Sequence, residues 1–107
     1  MFRQQLAQAY IEVMVLKYHG LRNLSQHVHS GVPGPEGSIG KLLWSELHVR
    51  LCEAGLGMLG PNGQITSGSP CSFQDGYWPY YFLESKSDTI AAGTSEIQRN
   101  IIGERVL

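Results

Sequence analysis

Apolar residues recur at the spacing of an α-helix along most of this chain, and that period leaves little room for any other architecture. Leu6, Tyr10, Val13, Met14, Leu21, Leu24 and Val28 fall on one stripe of a 3.6-residue helix, which predicts a long helix over Arg3 to Ser30. Ile11, Val15 and Tyr18 add a second stripe over its early turns, so that half is expected to be buried from two sides, as in the middle of a bundle. The run Ser30-Gly31-Val32-Pro33-Gly34-Pro35-Glu36-Gly37 is dense in helix breakers and reads as a connecting loop. Ser38 can then cap a second helix. Ile39, Leu43, Leu47, Ala54 and Met58, widened by Leu42 and Leu51, carry it to Leu59, where Gly60-Pro61 stops it.

No period survives from Asn62 to Gly76, where four residues are Gly or Pro among polar neighbours, and a long surface loop is expected. Trp78-Pro79 can open a third helix, because proline is tolerated at the first helical position; this helix should stop near Ala92-Gly93. Ser95, followed three residues later by Gln98, fits a capping box, and Ile97, Ile101, Ile102 and Val106 carry a fourth helix that reaches Leu107 without a C-cap. Four helical segments without a strand signal predict an all-α, up-and-down bundle forming one domain over residues 1–107. The abrupt first helix and uncapped last one suggest cuts in a larger protein.

Charge narrows the function classes. Eight Lys and Arg against nine Asp and Glu give a formal net charge of −1, with no basic footprint for nucleic acid or an anionic membrane surface. No apolar run approaches the roughly 20 residues of a bilayer span, and the N-terminus lacks a secretory apolar region, so a cytoplasmic protein is expected. Cys52 and Cys71 sit in unlike contexts and read as free thiols. His48 and Cys52 are one helical turn apart and His27 and His29 flank one residue, but no compact set of three or four ligands forms, so no metal site is expected. Trp78, Tyr80, Tyr81 and Phe82 read as core or interface aromatics.

The segment from Ala91 to Leu107, with Gly93-Thr94-Ser95-Glu96-Ile97-Gln98-Arg99 at its heart, resembles the C-terminal signature of acyl-CoA dehydrogenases. Arg3 to Ser30 and Gly34 to Gly63 resemble the two helices that come before it in that family, in the same order. The resemblance implies the C-terminal four-helix bundle of a flavoenzyme subunit, lacking the bundle's first helix. It further implies FAD as cofactor, an acyl-CoA thioester as substrate of the complete enzyme, and homo- or hetero-oligomers formed through helical faces. A non-catalytic helical assembly module, or a truncated partner of such an enzyme, is the alternative reading.

Gly93 and Ser95 alone read either as a helix stop and a cap, or as a place where backbone meets a flat ligand. Free N–H groups at Thr94, Ser95 and Glu96 open a helix whose N-terminus favours anionic groups. The resemblance selects the second reading, with Thr94, Ser95 and Glu96 toward the cofactor and Gly93 toward the substrate. It also makes Leu59 and Gly60 backbone contacts to the FAD of a neighbouring subunit, although Gly57 stands where many members carry glutamine. One branch of the family takes its catalytic base from the glutamate just before Gly-Thr-Ser, where this chain has Ala92. Other branches take it from the helix preceding Arg3. No catalytic residue is therefore assigned within the chain.

Overall fold

The computed structural model describes all of residues 1–107. Four α-helices follow in order: α1 (Phe2–Ser30), α2 (Gly37–Leu59), α3 (Tyr77–Asp88) and α4 (Ser95–Arg105). There is no strand, as the periodicity requires. α2 is the hub: it packs against each of the other three helices, whose backbones do not approach one another closely. Pairings set the directions. Glu12 meets Arg50 and His19 meets the Glu36 carbonyl, so α1 runs antiparallel to α2. Gly55 meets Trp78 and His48 meets Asp88, so α3 is antiparallel too. Lys41 meets Gly93 and Glu46 meets Arg99, so α4 runs with α2 and the order is up-down-up-down.

Helix ends depart from the sequence expectations in instructive ways. α1 stops at Gly31, which takes a left-handed φ of 72° and donates its N–H to the His27 carbonyl. Ser38 does not cap α2; Glu36 holds the cap position without a side-chain bond. The Pro35-Glu36 turn is already helical, and the amides of Ser38 and Ile39 bond to the carbonyls of Pro35 and Glu36 at 3.0 and 3.1 Å. Donors satisfied by a preceding turn need no hydroxyl. α3 starts at Tyr77, which puts Pro79 third and buries it. It ends at Asp88, four residues before the expected stop, with the Ile90 and Ala91 amides folding back onto the Ser87 carbonyl.

The expected surface loop is a built segment. Gly60–Gln64 forms a 3-10 turn, Phe73–Gly76 is a tight turn in which Gln74 and Asp75 are left-handed with φ of 48° and 51°, and Gly63 and Gly76 are buried. Asp75 Oδ1 accepts the Gly68 amide at 3.0 Å, which draws the intervening chain back onto the start of α3.

Burial differs most from expectation. No residue of α1 is buried: Ile11, Val15 and Tyr18 are 55%, 52% and 61% exposed, and Leu6, Tyr10 and Leu24 are exposed as well. The early turns of α1 are thus covered from one side only, by α2. On α2, only Leu47 of the large apolar stripe is buried. The face closed against α3 is instead the small and polar one, Ser45, Cys52 and Gly55, one or two turns apart. Small side chains let the two backbones approach, with the Trp78 ring laid directly on Gly55. The fully buried hydroxyls remain satisfied locally, Ser85 Oγ donating to the Phe82 carbonyl at 2.8 Å and Ser45 Oγ to the Leu42 carbonyl at 3.3 Å.

Polar links hold the outer helices to this hub. On the α1 side, hydrogen bonds from Gln8 and Arg50 hold the Glu12 carboxyl below its usual range. On the α3 side, Lys86 Nζ reaches Glu53 at 2.7 Å and His48 Nδ1 lies 2.6 Å from Asp88.

Both cysteines are free, and their settings differ sharply. Cys52 is 3% exposed, and burial raises its thiol pKa, opposed by a hydrogen bond with Ser85; Cys71 is exposed in the loop. At pH 8 an aromatic disulfide reagent is expected to modify one thiol of the native chain rapidly. The second should react on the order of a hundredfold more slowly until denaturant is added, because it waits on opening of the α2–α3 seam. Two fast thiols in the native protein would contradict this packing.

Candidate functional site

The turn between α3 and α4 combines unusual backbone with side chains that reach into it from two helices. Ala92 and Gly93 are consecutive left-handed residues, with φ of 56° and 93°. Glycine takes that conformation freely; alanine pays about 1 kcal/mol or more for it. Each peptide of the pair is held by a side chain from elsewhere. Gln98 Nε2, from α4, donates to the Ala92 carbonyl at 2.9 Å, and Lys41 Nζ, from α2, donates to the Gly93 carbonyl at 2.6 Å. A Cβ at Gly93 would sit 2.7 Å from Gln98 Nε2, so a side chain there would push that amide aside from the Ala92 carbonyl. The dihedral angle is what calls for glycine.

This turn delivers the chain into α4. The N-cap is Thr94, whose Oγ1 accepts the Ile97 amide at 3.3 Å, rather than Ser95, which is the first helical residue and is buried. Gln98 correspondingly does not complete a capping box, because its amide is already committed to Ala92. With the Ile97 amide capped, those of Ser95 and Glu96 are left without an intrahelical acceptor, at the positive end of the helix dipole. The Glu96 side chain is exposed and faces Arg99 at 3.9 Å, while Arg99 also holds Glu46 of α2 at 2.6 Å. The site therefore offers backbone donors and a nearby ammonium. Its close carboxylates are turned to ion pairs.

Gly93, Thr94, Ser95 and Glu96 come together as one segment, but Leu59 and Gly60 do not join them. Lys41 marks one end of α2 and Leu59 the other, eighteen residues or about 27 Å apart at 1.5 Å per residue. Gly60 closes α2 with φ of 55°, its amide on the Gly57 carbonyl, and Pro61 starts the following 3-10 turn. One chain thus presents two separate backbone edges. Ala92, which the resemblance sets against the base position of one family branch, is exposed. No cluster of three His, Cys, Asp or Glu side chains forms a metal-type site. His48 is engaged by Asp88 and stacks on Trp44, with ring centroids 5.6 Å apart, while Cys52 lies in the α2–α3 seam. Trp78, Tyr81 and Phe82 are half-buried and Tyr80 is exposed, which places them in packing and surface rather than in the turn.

Lys41 was not apparent as a site residue from sequence. It sits between Ile39 and Leu42 in an apolar stretch, and the residue it serves is 52 positions away. Its helical register with Ser45, His48, Cys52 and Gly55 was the available signal, since all five lie on the face turned to α3 and the following turn.

Known proteins agree with this geometry. The family description "Acyl-CoA dehydrogenase, C-terminal domain" matches residues 1–107. The protein named acyl-CoA dehydrogenase IpdE1 from Mycobacterium tuberculosis is 32% identical over 102 residues, covering 90% of this chain and 26% of that protein. Its namesake from Mycolicibacterium smegmatis is 32% identical over 107 residues, covering 100% of this chain and 25% of that protein. The chain thus spans about a quarter of the length of these relatives. Among solved structures, one titled Tcur3481-Tcur3483 steroid ACAD superposes with a TM-score of 0.81 at 20% identity, covering 95% of this chain and 27% of that one, a likeness of fold. With its whole length matched by that domain, and with the Gly-Thr-Ser turn built as described, this chain belongs to the acyl-CoA dehydrogenase family.

Proposed function

We propose that the chain is the C-terminal part of a flavin-dependent acyl-CoA dehydrogenase that, in the complete enzyme, oxidises an acyl-CoA thioester between its α and β carbons. The observation that supports it most is the Ala92-Gly93 turn, a strained backbone pinned from two helices that leaves the Ser95 and Glu96 amides unpaired. Strain held in this way is characteristic of ligand clamps. Thr94, Ser95 and Glu96 would hold an electron-rich or anionic edge of FAD, and Gly93, with no side chain, lets the acyl thioester lie close to the backbone. Leu59 and Gly60, at the far end of α2, would serve the FAD of a neighbouring subunit. FAD in such an enzyme supplies the acceptor for a hydride leaving Cβ. The chain's own contribution is to bind and orient. Two free thiols suit a reducing, cytoplasmic setting, and no helix is long and apolar enough to cross a membrane.

Titration of the 15N-labelled chain with FAD tests this reading. Binding is expected to be weak, in the millimolar range, because the edges are not closed into a concave apolar bed. Shifts should centre on the amides of Thr94, Ser95 and Glu96. No response there, or shifts elsewhere only, would sink the flavin assignment, and copurification with stoichiometric flavin would contradict the expected weakness.

Two features favour an assembly role alongside it, and they also support the alternative of a non-catalytic partner. Only ten of 107 residues are buried, which leaves the α1 stripe of Ile11, Val15 and Tyr18 uncovered. A groove of about 740 Å³ also lies open between the first turns of α1 and the later half of α2, with Phe2, Ala9, Leu51 and Ala54 in its walls. Exposed apolar surface on this scale calls for a partner. Sedimentation equilibrium at high micromolar concentration should show a dimer or larger species; a strictly monomeric chain would count against assembly through these faces.

A further inference from the structure

Lys41 is the one residue outside the Gly-Thr-Ser segment that reaches into it from α2 with a full charge and no carboxylate partner. None of the ion pairs of the molecule involves it. Its only hydrogen bond is to the Gly93 carbonyl at 2.6 Å, a short contact whose donor is ionised. Three carboxylates of the neighbouring helices have other partners: Glu46 of α2 is held by Arg99 of α4, Asp88 of α3 by His48, and Glu96 of α4 faces Arg99.

Two consequences follow from this arrangement. The first is mechanical. A residue pair at φ of 56° and 93° keeps its shape only when something fixes it, and Gln98 accounts for one of the two peptides. The second peptide, Gly93–Thr94, is the one whose orientation aims the Thr94 amide and launches α4. Lys41 is what fixes it. The second consequence is electrostatic. An unpaired carbonyl beside the N-terminal amides would add negative potential where an anionic group is to be received. The ammonium covers that carbonyl and adds a positive charge, with two N–H donors to spare.

We propose that Lys41 is the positioning residue of the ligand-facing turn, fixing the Gly93 peptide from α2 so that the Thr94, Ser95 and Glu96 amides stand ready for an electron-rich ligand. The inference rests on the flavin reading for the identity of that ligand and on the turn geometry alone for the positioning.

Amide hydrogen exchange of the 15N-labelled chain tests the positioning without any ligand. In Lys41→Met the Ile97 amide, capped by Thr94, should exchange about tenfold faster, with shifts at Thr94, Ser95 and Glu96, as expected when a hydrogen bond to a charged group is lost. Lys41→Arg should return both toward the starting values. Amides in the middle of α1 and at Cys52 should be unchanged in both variants. Unchanged exchange at Ile97, or a loss of protection spread evenly over α1, α2 and α3, would overturn the proposal. Should Lys41→Met fail to fold, the unsubstituted chain supplies the reading: 15N-labelled lysine side chains should show a Lys41 ammonium that exchanges more slowly than that of exposed Lys17. An ammonium indistinguishable from Lys17 would overturn it equally. The FAD titration then separates the two ideas. If Ile97 responds to Lys41→Met while FAD leaves the turn untouched, the positioning stands and the flavin reading fails; if FAD shifts the turn equally in the unsubstituted chain and in Lys41→Met, and exchange is unaltered, Lys41 has no such part.

Discussion

Replacing Gly76 by alanine should destabilise the chain by about 3 kcal/mol, combining roughly 1–2 kcal/mol for a left-handed alanine with a comparable overpacking penalty. Gly76 has φ of 74°, and a Cβ there would overlap the Ser67 amide nitrogen and lie 2.8 Å from the Thr66 carbonyl carbon. Those neighbours are backbone. They cannot swing aside as a side chain can, and moving them would pull the Gly68 amide from Asp75. A domain of this length has on the order of 5–15 kcal/mol of stability to begin with, so the melting temperature should fall by about 10–20 °C. Thermal unfolding followed by circular dichroism measures it. Gly57→Ala is the matched control: Gly57 is an exposed residue of α2 with open space around its Cα, and alanine there should stabilise by up to about 1 kcal/mol. Equal effects of the two substitutions would mean that the 66–76 segment does not pack on α3 as described.

The largest expected functional result is an absence of turnover. Removing the α-proton of a thioester needs a carboxylate placed on it, since the redox partner takes only the hydride. On the resemblance of the Gly-Thr-Ser segment, Ala92 would stand where one branch of the family supplies that base. The nearest alternatives are occupied: Glu46 is 2.6 Å from Arg99, Asp88 is 2.6 Å from His48, and Glu96 is exposed and turned to Arg99. Glu84 and Glu104 are exposed on helices and make no ion pair with the turn. With added FAD and an electron acceptor, the 107-residue chain should convert no acyl-CoA above a flavin-only blank. Ala92→Glu alone should not restore activity, because the substituted residue inherits a left-handed φ of 56° and a site without an apolar bed for the acyl chain. Enoyl-CoA formation by either protein, followed by its ultraviolet absorbance, would show that a base exists where none is assigned.

Periodicity carried most of the architecture. The spacing of Leu6 to Val28 and of Ile39 to Met58 determined two long helices to within one residue at each end, because a 3.6-residue repeat sustained over more than five turns has no strand counterpart. The Gly-Thr-Ser segment was likewise legible, since its letters are specific and contiguous. Tertiary structure decided which faces matter. On α2 the sequence pointed to the leucine stripe, yet the closed seam is Ser45, Cys52 and Gly55, because tight backbone approach selects small side chains that composition reads as surface. On α1 the double apolar stripe suggested burial on two sides, but hydrophobicity states only that a face needs cover, and within this chain α2 alone supplies it. Cap assignments shifted by a residue or two for a similar reason: the donors at the starts of α2 and α4 were satisfied by whichever group the turn brought nearest, the Pro35 and Glu36 carbonyls in one case and Thr94 in the other. Lys41 lay beyond any local pattern. Its partner is 52 residues away, and only the packing of α2 beside the α3–α4 turn brings a lysine in an apolar stretch to the carbonyl it holds.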